Sequence, residues 1–330
     1  MMIVMQLNAE EAQVAAVIEQ IRAAGLKEHV SRGAELVIIG AIGDEDRLSS
    51  ARFERLPGVE RVSRVTKQYK MVSRDTHPVG TSFKIRGALI GGEQIQVFAG
   101  VRSLDAALPV NSVTSMVQAA ACRLLWAGSE SLNQNPYEFN GFEAEKLIEL
   151  RAAARSHALP FAAELNDFSV LETSLANDVD ALILGARSMQ NRALLRELGR
   201  INKPVILRRG LAASLSEWLL AAETIAAGGN HHIILCEQAT KNGLDIATIP
   251  FLKRETHLPV FVDASNGAKV WMVPALAQAA IAAGADGLML DIHPNPAEAP
   301  HGGDQALDLA QLQQLMTALA VIAPALGRRI

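Results

Sequence analysis

Val262-Asp263-Ala264-Ser265-Asn266 is the stretch on which the reading of this chain turns. The apolar run 259–263 ends on an acid and then breaks into small polar residues. Three other segments repeat the plan: Ala99-Gly100-Val101-Arg102-Ser103, Leu207-Arg208-Arg209-Gly210 and Leu290-Asp291-Ile292-His293-Pro294. Each puts charged side chains where a short apolar run stops. The C-terminal ends of buried parallel strands in an α/β protein have this pattern.

Working outward, apolar β runs fall at 95–99, 122–127, 160–164, 181–184, 204–208, 232–236, 259–263 and 287–292. Amphipathic helical patterns separate them at 111–121, 142–156, 167–177, 191–200, 214–227, 271–283 and 307–324. The second run is the least distinct, because Leu124-Leu125-Trp126 merges with the helical pattern before it. Eight β/α units predict a (β/α)₈ TIM barrel over 95–330 rather than a doubly wound sheet.

Ahead of the barrel the order is β 2–7, helix 9–25, β 29–32, β 35–41, a polar helix at 45–55 and β 59–66. The first helix carries Ala12, Val14, Val17, Ile18 and Ile21 at helical spacing, with Asn8 as the expected N-cap and Gly25 as the stop. This βαββαβ order predicts a small α+β ferredoxin-like domain over 1–70, with a regulatory or oligomerisation role. Residues 71–94 read as linker and lead-in, polar and mixed around Pro78 and Gly80.

Composition narrows the function classes. Hydrophobic content is 49%, charged content 20% and net charge -4, so no basic field attracts nucleic acid or an anionic membrane. Aromatic content of 4% leaves little for base stacking. No apolar stretch reaches the ~20 residues of a membrane span. The N-terminus Met-Met-Ile-Val-Met-Gln lacks a signal-peptide pattern, and Cys122 and Cys236 read as buried, reduced thiols. The expected setting is the cytoplasm.

At the strand ends stand Arg102, Glu164, Arg187, Arg208, Arg209, Glu237, Asp263, Asn266, Asp291 and His293, with Ala186 beside Arg187. Four arginines at one barrel mouth favour a phosphate or carboxylate ligand held bidentately. The same arginines could pair with Glu164, Glu237, Asp263 and Asp291, and the two readings are compatible. His293 lies two residues beyond Asp291 and on the same side of its strand, as a core histidine or as an acid–base group. His231-His232 reads as a loop or surface feature, His301 as part of a loop over the mouth, and Lys269 as a residue at its border.

Gly185-Ala186-Arg187 with Met189-Gln190-Asn191, Lys203-Pro204-Val205 leading to Arg209-Gly210, Glu217-Trp218-Leu219-Leu220-Ala221-Ala222-Glu223, Ile234-Leu235-Cys236-Glu237, and Pro136-Tyr137 with Phe139 and Gly141 carry a resemblance. The chain resembles 3-deoxy-7-phosphoheptulonate (DAHP) synthases with a small N-terminal extra domain, along nearly its whole length. The resemblance implies condensation of phosphoenolpyruvate (PEP) with erythrose 4-phosphate, with Arg187 on the PEP phosphate. It also implies a homo-oligomer, commonly a tetramer, and feedback control through the N-terminal domain.

The residues also depart from that pattern. Where the family has a cysteine metal ligand this chain has Arg102, and where it has a histidine ligand it has Asn266. The glutamate ligand position is Asp291, and the aspartate ligand position falls on Gly302, with Asp304 two residues beyond. Cationic contacts of the family fall on Trp126, Ser131, Asn133 and Gln238, and a lysine position is Arg208. The expectation is therefore no metal and no cofactor, with Arg102, Arg208, Asp263, Asp291 and His293 as catalytic candidates. Arg187, Arg209, Glu164, Glu237, Asn266 and Ala186 are the substrate-binding candidates, for a small anionic or carbonyl metabolite. The leading functional expectation is a non-catalytic binding or regulatory homologue. The alternatives are a divergent metal-independent aldolase or lyase and an active DAHP synthase.

Overall fold

The computed structural model describes residues 1–33, 37–43, 50–63, 68–104, 107–128, 144–239, 243–299 and 301–330. Its N-terminal unit runs β1 (Met2–Met5), α1 (Glu11–Ala23), β2 (Lys27–Arg32), β3 (Val37–Ile42), α2 (Ser50–Phe53) and β4 (Val59–Ser63). The sheet order is β2-β3-β1-β4, with β1 antiparallel to both β3 and β4. That is the expected ferredoxin-like arrangement. Helix α1 starts two residues later than Asn8 predicts: the Glu10 N–H donates to the Gln13 side chain at 2.9 Å, and Gly25 at φ 75° ends the helix. Val14, Val17 and Ile21 face the sheet.

The second unit is the expected barrel. Its strands are β7 (Gln96–Val101), β8 (Leu124–Ala127), β9 (Phe161–Leu165), β10 (Ala181–Leu184), β11 (Val205–Arg208), β12 (Ile233–Gln238), β13 (Val260–Asp263) and β14 (Gly287–Asp291). They close in the order β10-β11-β12-β13-β14-β7-β8-β9, all parallel. Helix α3 (Val110–Ala119) stops before Ala121, whose φ of 56° turns the chain into β8, so the merged pattern resolves into two elements. Helices α4 (Ala144–Ser156), α5 (Phe168–Ala176), α6 (Arg192–Arg200), α7 (Leu215–Ala227), α9 (Val273–Ala282) and α10 (Leu309–Ala325) follow the periodic segments. Helix α8 (Thr248–Glu255) was not expected; it is short and only Thr248, Ile249 and Leu252 are buried.

Alternate residues of each strand face the barrel axis. Phe98, Leu124, Trp126, Ile183, Ile206, Ile234, Phe261 and Met289 fill it, all fully buried. The stretch expected to be linker supplies the floor. Strands β5 (Phe83–Ile85) and β6 (Ala88–Ile90) form a hairpin whose Phe83, Ile85 and Ile90 join that same apolar cluster. At the seam β14 pairs with β7, and the Ile95 N–H donates to Arg329 O at 2.6 Å.

The N-terminal unit lies against the base of the barrel. Met2 and Ile38 belong to the barrel's outer core cluster, and the Ser31 hydroxyl donates to Ala226 O at 2.8 Å. The connecting segment is pinned by Glu223, whose carboxylate accepts from Met71 N and Val72 N at 3.0 and 3.1 Å. His257 donates from Nε2 to Met71 O (2.8 Å) and accepts the Thr81 hydroxyl at Nδ1 (2.6 Å). Burial lowers the pKa of His257 to about 3 and that of His231 to about 4.

Two outcomes follow from this packing. A Cβ at Gly100 would sit 1.9 Å from Trp126 O, so Gly100→Ala should cost at least ~3 kcal/mol in a urea titration. The histidines give a pH window. Unfolded, each binds a proton below 6.5, while the folded chain refuses it until about 4 (His231) or 3 (His257). Stability should therefore hold above pH 6.5 and fall as the pH drops from 6.5 toward 4, with a shallower slope in His231→Gln.

Candidate functional site at the barrel mouth

Pairing register brings the charged strand ends to one level. Gly100, just before Val101 and Arg102, is opposite Asp291, Gln238 opposite Asp263, and Arg208 opposite Cys236. Arg102 is 4% exposed, and its guanidinium grips Asp291 with two parallel bonds, Nε to Oδ2 at 2.6 Å and Nη2 to Oδ1 at 2.8 Å. Its Nη2 also reaches Asp263 Oδ2 at 3.4 Å. Arg208 takes the same Asp263 oxygen at 2.8 Å and stands 3.9 Å from Glu164. The second Asp263 oxygen accepts from Ser265 N and Asn266 N, at 3.2 and 2.9 Å.

Two guanidiniums thus face three carboxylates in a dry cluster. Burial raises the Asp291 pKa and the Asp263 charge adds to the rise, while Arg102 pulls against both. For Arg208, burial works against the charged form, but Glu164 and Asp263 outweigh it and raise its pKa. Trp126 lies under both arginines, with its ring centroid 5.1 Å from the Arg208 guanidinium carbon and 5.8 Å from that of Arg102. Its indole N–H donates to Leu290 O at 3.2 Å. The Nε and Nη2 atoms of Arg208 are buried without a hydrogen-bond partner among the described residues.

Arg209 turns away from this cluster. It donates to Glu237 at 2.8 Å and to Ala213 O at 3.0 Å, and burial raises the Glu237 pKa against the pull of Arg209. The Asn266 amide donates to Gln238 at 2.7 Å. His293 is 9% exposed and its Nδ1 meets the Asn295 backbone. Lys269 pairs with Asp304 at the rim. Arg187 follows Ala186 on the 3₁₀ turn Ala186–Ser188 after β10; it is exposed and has no ion-pair partner among the described residues. Ser131, Asn133, Pro136, Tyr137, Phe139 and Gly141 lie outside the described residues.

The site thus brings together Arg102, Arg208, Asp263, Asp291 and Glu164, keeps Arg209 with Glu237 as a separate pair, and leaves Arg187 open. Trp126 was noted in the sequence only as a position where a family arginine is missing. Its inward place on β8 follows from strand alternation once the helix boundary is known.

The described polar side chains at the mouth are largely held by one another. Both Asp291 oxygens are taken by Arg102, the Asn266 amide group donates to Gln238, and Asp304 is held by Lys269. Among the described residues no group of three or more His, Cys, Asp or Glu side chains could hold a metal ion. A guanidinium stands where the resemblance implies a thiolate.

Comparison with known proteins completes the site. Residues 70–325 match the DAHP synthetase I family, and residues 1–67 match the DAHP synthase ferredoxin-like domain. The chain is 35% identical to a phospho-2-dehydro-3-deoxyheptonate aldolase of Thermotoga maritima, over 100% of both chains. It is also 35% identical to a 2-dehydro-3-deoxyphosphooctonate aldolase of Desulfosudis oleivorans, over 30% of this chain and 42% of that one. The crystal structure of the Thermotoga maritima DAHP synthase superposes with a TM-score of 0.75 at 34% identity, covering 99% of this chain and 98% of that one. This end-to-end match to an aldolase overturns the leading expectation of a non-catalytic homologue.

The buried pairing yields a stability test. Arg102→Met leaves Asp291 and Asp263 without their shared cation and should cost ~3–5 kcal/mol in denaturant unfolding. Adding Asp291→Asn should recover roughly half of that loss, because the two side chains are one interaction. Additive losses in the double variant would refute the pairing.

Proposed function

We propose, for a chain that belongs to the DAHP synthetase I family and carries that family's ferredoxin-like domain, the condensation of phosphoenolpyruvate with an aldose phosphate. The observation that carries this reading is the match to a phospho-2-dehydro-3-deoxyheptonate aldolase over the whole of both chains. Erythrose 4-phosphate is the acceptor it favours, and the product is then 3-deoxy-7-phosphoheptulonate. A carbon–carbon bond forms between the enol carbon and the aldehyde carbon. Water adds at the carbon that bears the phosphate, and the bond from that carbon to the bridging oxygen breaks, its electron pair leaving with inorganic phosphate.

Within this reading Arg187 binds the PEP phosphate. Its exposure and its lack of an ion-pair partner among the described residues support that role. Arg102 supplies a fixed positive charge beside the reacting aldehyde oxygen, and the buried acids Asp291 and Asp263 hold it there. Arg208, Glu164, Asn266 and Ala186 shape the wall around the enolpyruvate carboxylate, while Arg209 and Glu237 brace the Arg208 strand. Asp291 acts here through Arg102, and His293 is the group placed to move protons at the mouth. The condensation runs without a divalent cation in this reading, on the ground that Arg102 occupies both oxygens of Asp291. A homotetramer in the cytoplasm, with the N-terminal unit as its control element, belongs to the same proposal.

A second reading keeps the reaction class and changes the acceptor. Trp126 fills the barrel beneath Arg208 where the resemblance implies a cation, which favours a smaller or less charged aldehyde.

The test is loss of the PEP absorbance with purified protein, with erythrose 4-phosphate, arabinose 5-phosphate and unphosphorylated erythrose in parallel, each with Mn²⁺ or with EDTA. Turnover with erythrose 4-phosphate that survives EDTA is the expected result. Turnover with unphosphorylated erythrose alone would move the reading to the smaller acceptor, and no PEP consumption with any aldose would sink both. Arg187→Ala should raise the KM for PEP roughly 10- to 150-fold, the equivalent of a lost charge-assisted bond of ~1.5–3 kcal/mol.

A further inference from the structure

At the far end of the barrel from the mouth lies a cavity of ≈ 360 Å³. One wall is apolar, with Val4, Leu7 and Ile38 from the N-terminal unit and Met71 and Val79 from the connecting segment. The lining also holds four of the chain's eight histidines: His77, His231, His232 and His257. Their rings are close together. His77 and His257 have centroids 4.9 Å apart, and His232 stacks on Phe83 at 4.8 Å. The His231-His232 pair lies in the loop before β12, as its sequence suggests, but both residues are half-buried and not at the open surface.

The charges around this space are one-sided. Among the described residues no carboxylate lines it. Arg74 stands close enough to His257 to depress its pKa further, and His77 and His231 do the same. His231 in turn feels His232 and His77. The N-terminal unit contributes only uncharged side chains to the lining, and Arg32, on the neighbouring strand β2, is paired with Glu11. Among the described residues every ionisable group lining the cavity is therefore basic, with the Glu223 carboxylate behind Met71, and burial and mutual repulsion keep His231 and His257 neutral. His257 has both ring nitrogens engaged, so His77, His231 and His232 are the rings able to meet a ligand.

We propose that this cavity is a binding site for a small organic anion, one carboxylate or phosphate group on a short apolar body, held between the N-terminal unit and the base of the barrel. The anionic group meets the imidazoles of His77, His231 and His232, and the apolar body packs on Val4, Leu7 and Val79. An anion offsets the burial and the repulsion that hold His231 neutral, so binding takes up a proton there and tightens as the pH falls from 7 toward 6. Because the ligand touches both units and the segment joining them, its binding also fixes their relative position. The site is remote from the mouth and does not depend on the reaction proposed there.

Histidine imidazole resonances of the full-length protein test this at pH 6 and pH 7. The probes are isovalerate, 3-methylbutyl phosphate and, as the uncharged control, 3-methylbutan-1-ol. A saturable shift of the His77, His231 and His232 signals with either anion, at least threefold tighter at pH 6 and absent with the alcohol, is the expected result. The arm that saturates tells carboxylate from phosphate. No saturable shift with either anion, or equal shifts with the alcohol, would overturn the proposal. His231→Gln should weaken binding at least tenfold. Should that variant fail to fold, Leu7→Ala serves instead: Leu7 is 80% exposed at the rim, and a loss of binding without a change in Tm is expected.

Discussion

The clamp of Arg102 on Asp291, with Asp263 shared between Arg102 and Arg208, is the constraint around which the barrel mouth is organised. Asp263 and Asp291 end neighbouring strands, β13 and β14, and are buried away from water. Two carboxylates so placed cannot both stay ionised without a cation between them. A metal ion is one solution, and a guanidinium is another that the chain carries with it. The planar fork suits the second solution, because it satisfies both oxygens of Asp291 and still reaches Asp263. Trp126 completes the arrangement from below: its ring face accepts the arginines' charge where water cannot.

That arrangement ties the seam of the barrel together. Arg102 follows β7, and the acids belong to β13 and β14, so the ion pairs span the closure of the cylinder. The opposite end is sealed by side-chain packing, with Phe83, Ile85 and Ile90 from the hairpin under Phe98 and Phe261. Charge therefore holds one end of the barrel and apolar contact the other. The N-terminal unit rests on the apolar end, where His231 and His257 give up their charge in order to be buried.

Much of the fold was legible from apolar runs. The eight strands lie within two residues of the expected positions, because strands covered on both faces leave an unbroken apolar signature. Other elements gave weaker signals. The β5–β6 hairpin has strands of three residues, too short to show alternation, and Arg86 and Gly87 at its turn read as polar linker. Helix α8 buries one side of two turns only. At the site, the charged strand ends were readable one by one, yet their partners were not. That Arg208 pairs with Asp263 and Glu164, and Arg209 with Glu237, depends on which way adjacent side chains turn at the end of β11. No spacing in the sequence encodes that choice.

The pairing of β14 with β7, reinforced by the bond from Ile95 N–H to Arg329 O, has a consequence for synthesis. During translation β7 emerges early and waits with one edge open while six more strands are made. Its final neighbour comes only with β14, and the Arg329 contact comes later still. The N-terminal sheet can form as soon as β4 has left the ribosome, whereas the barrel remains an incomplete arc with two unsatisfied edges until β14 is released. The step most exposed to misassembly is thus the joining of the arc's ends, and it waits for the last strand of the barrel.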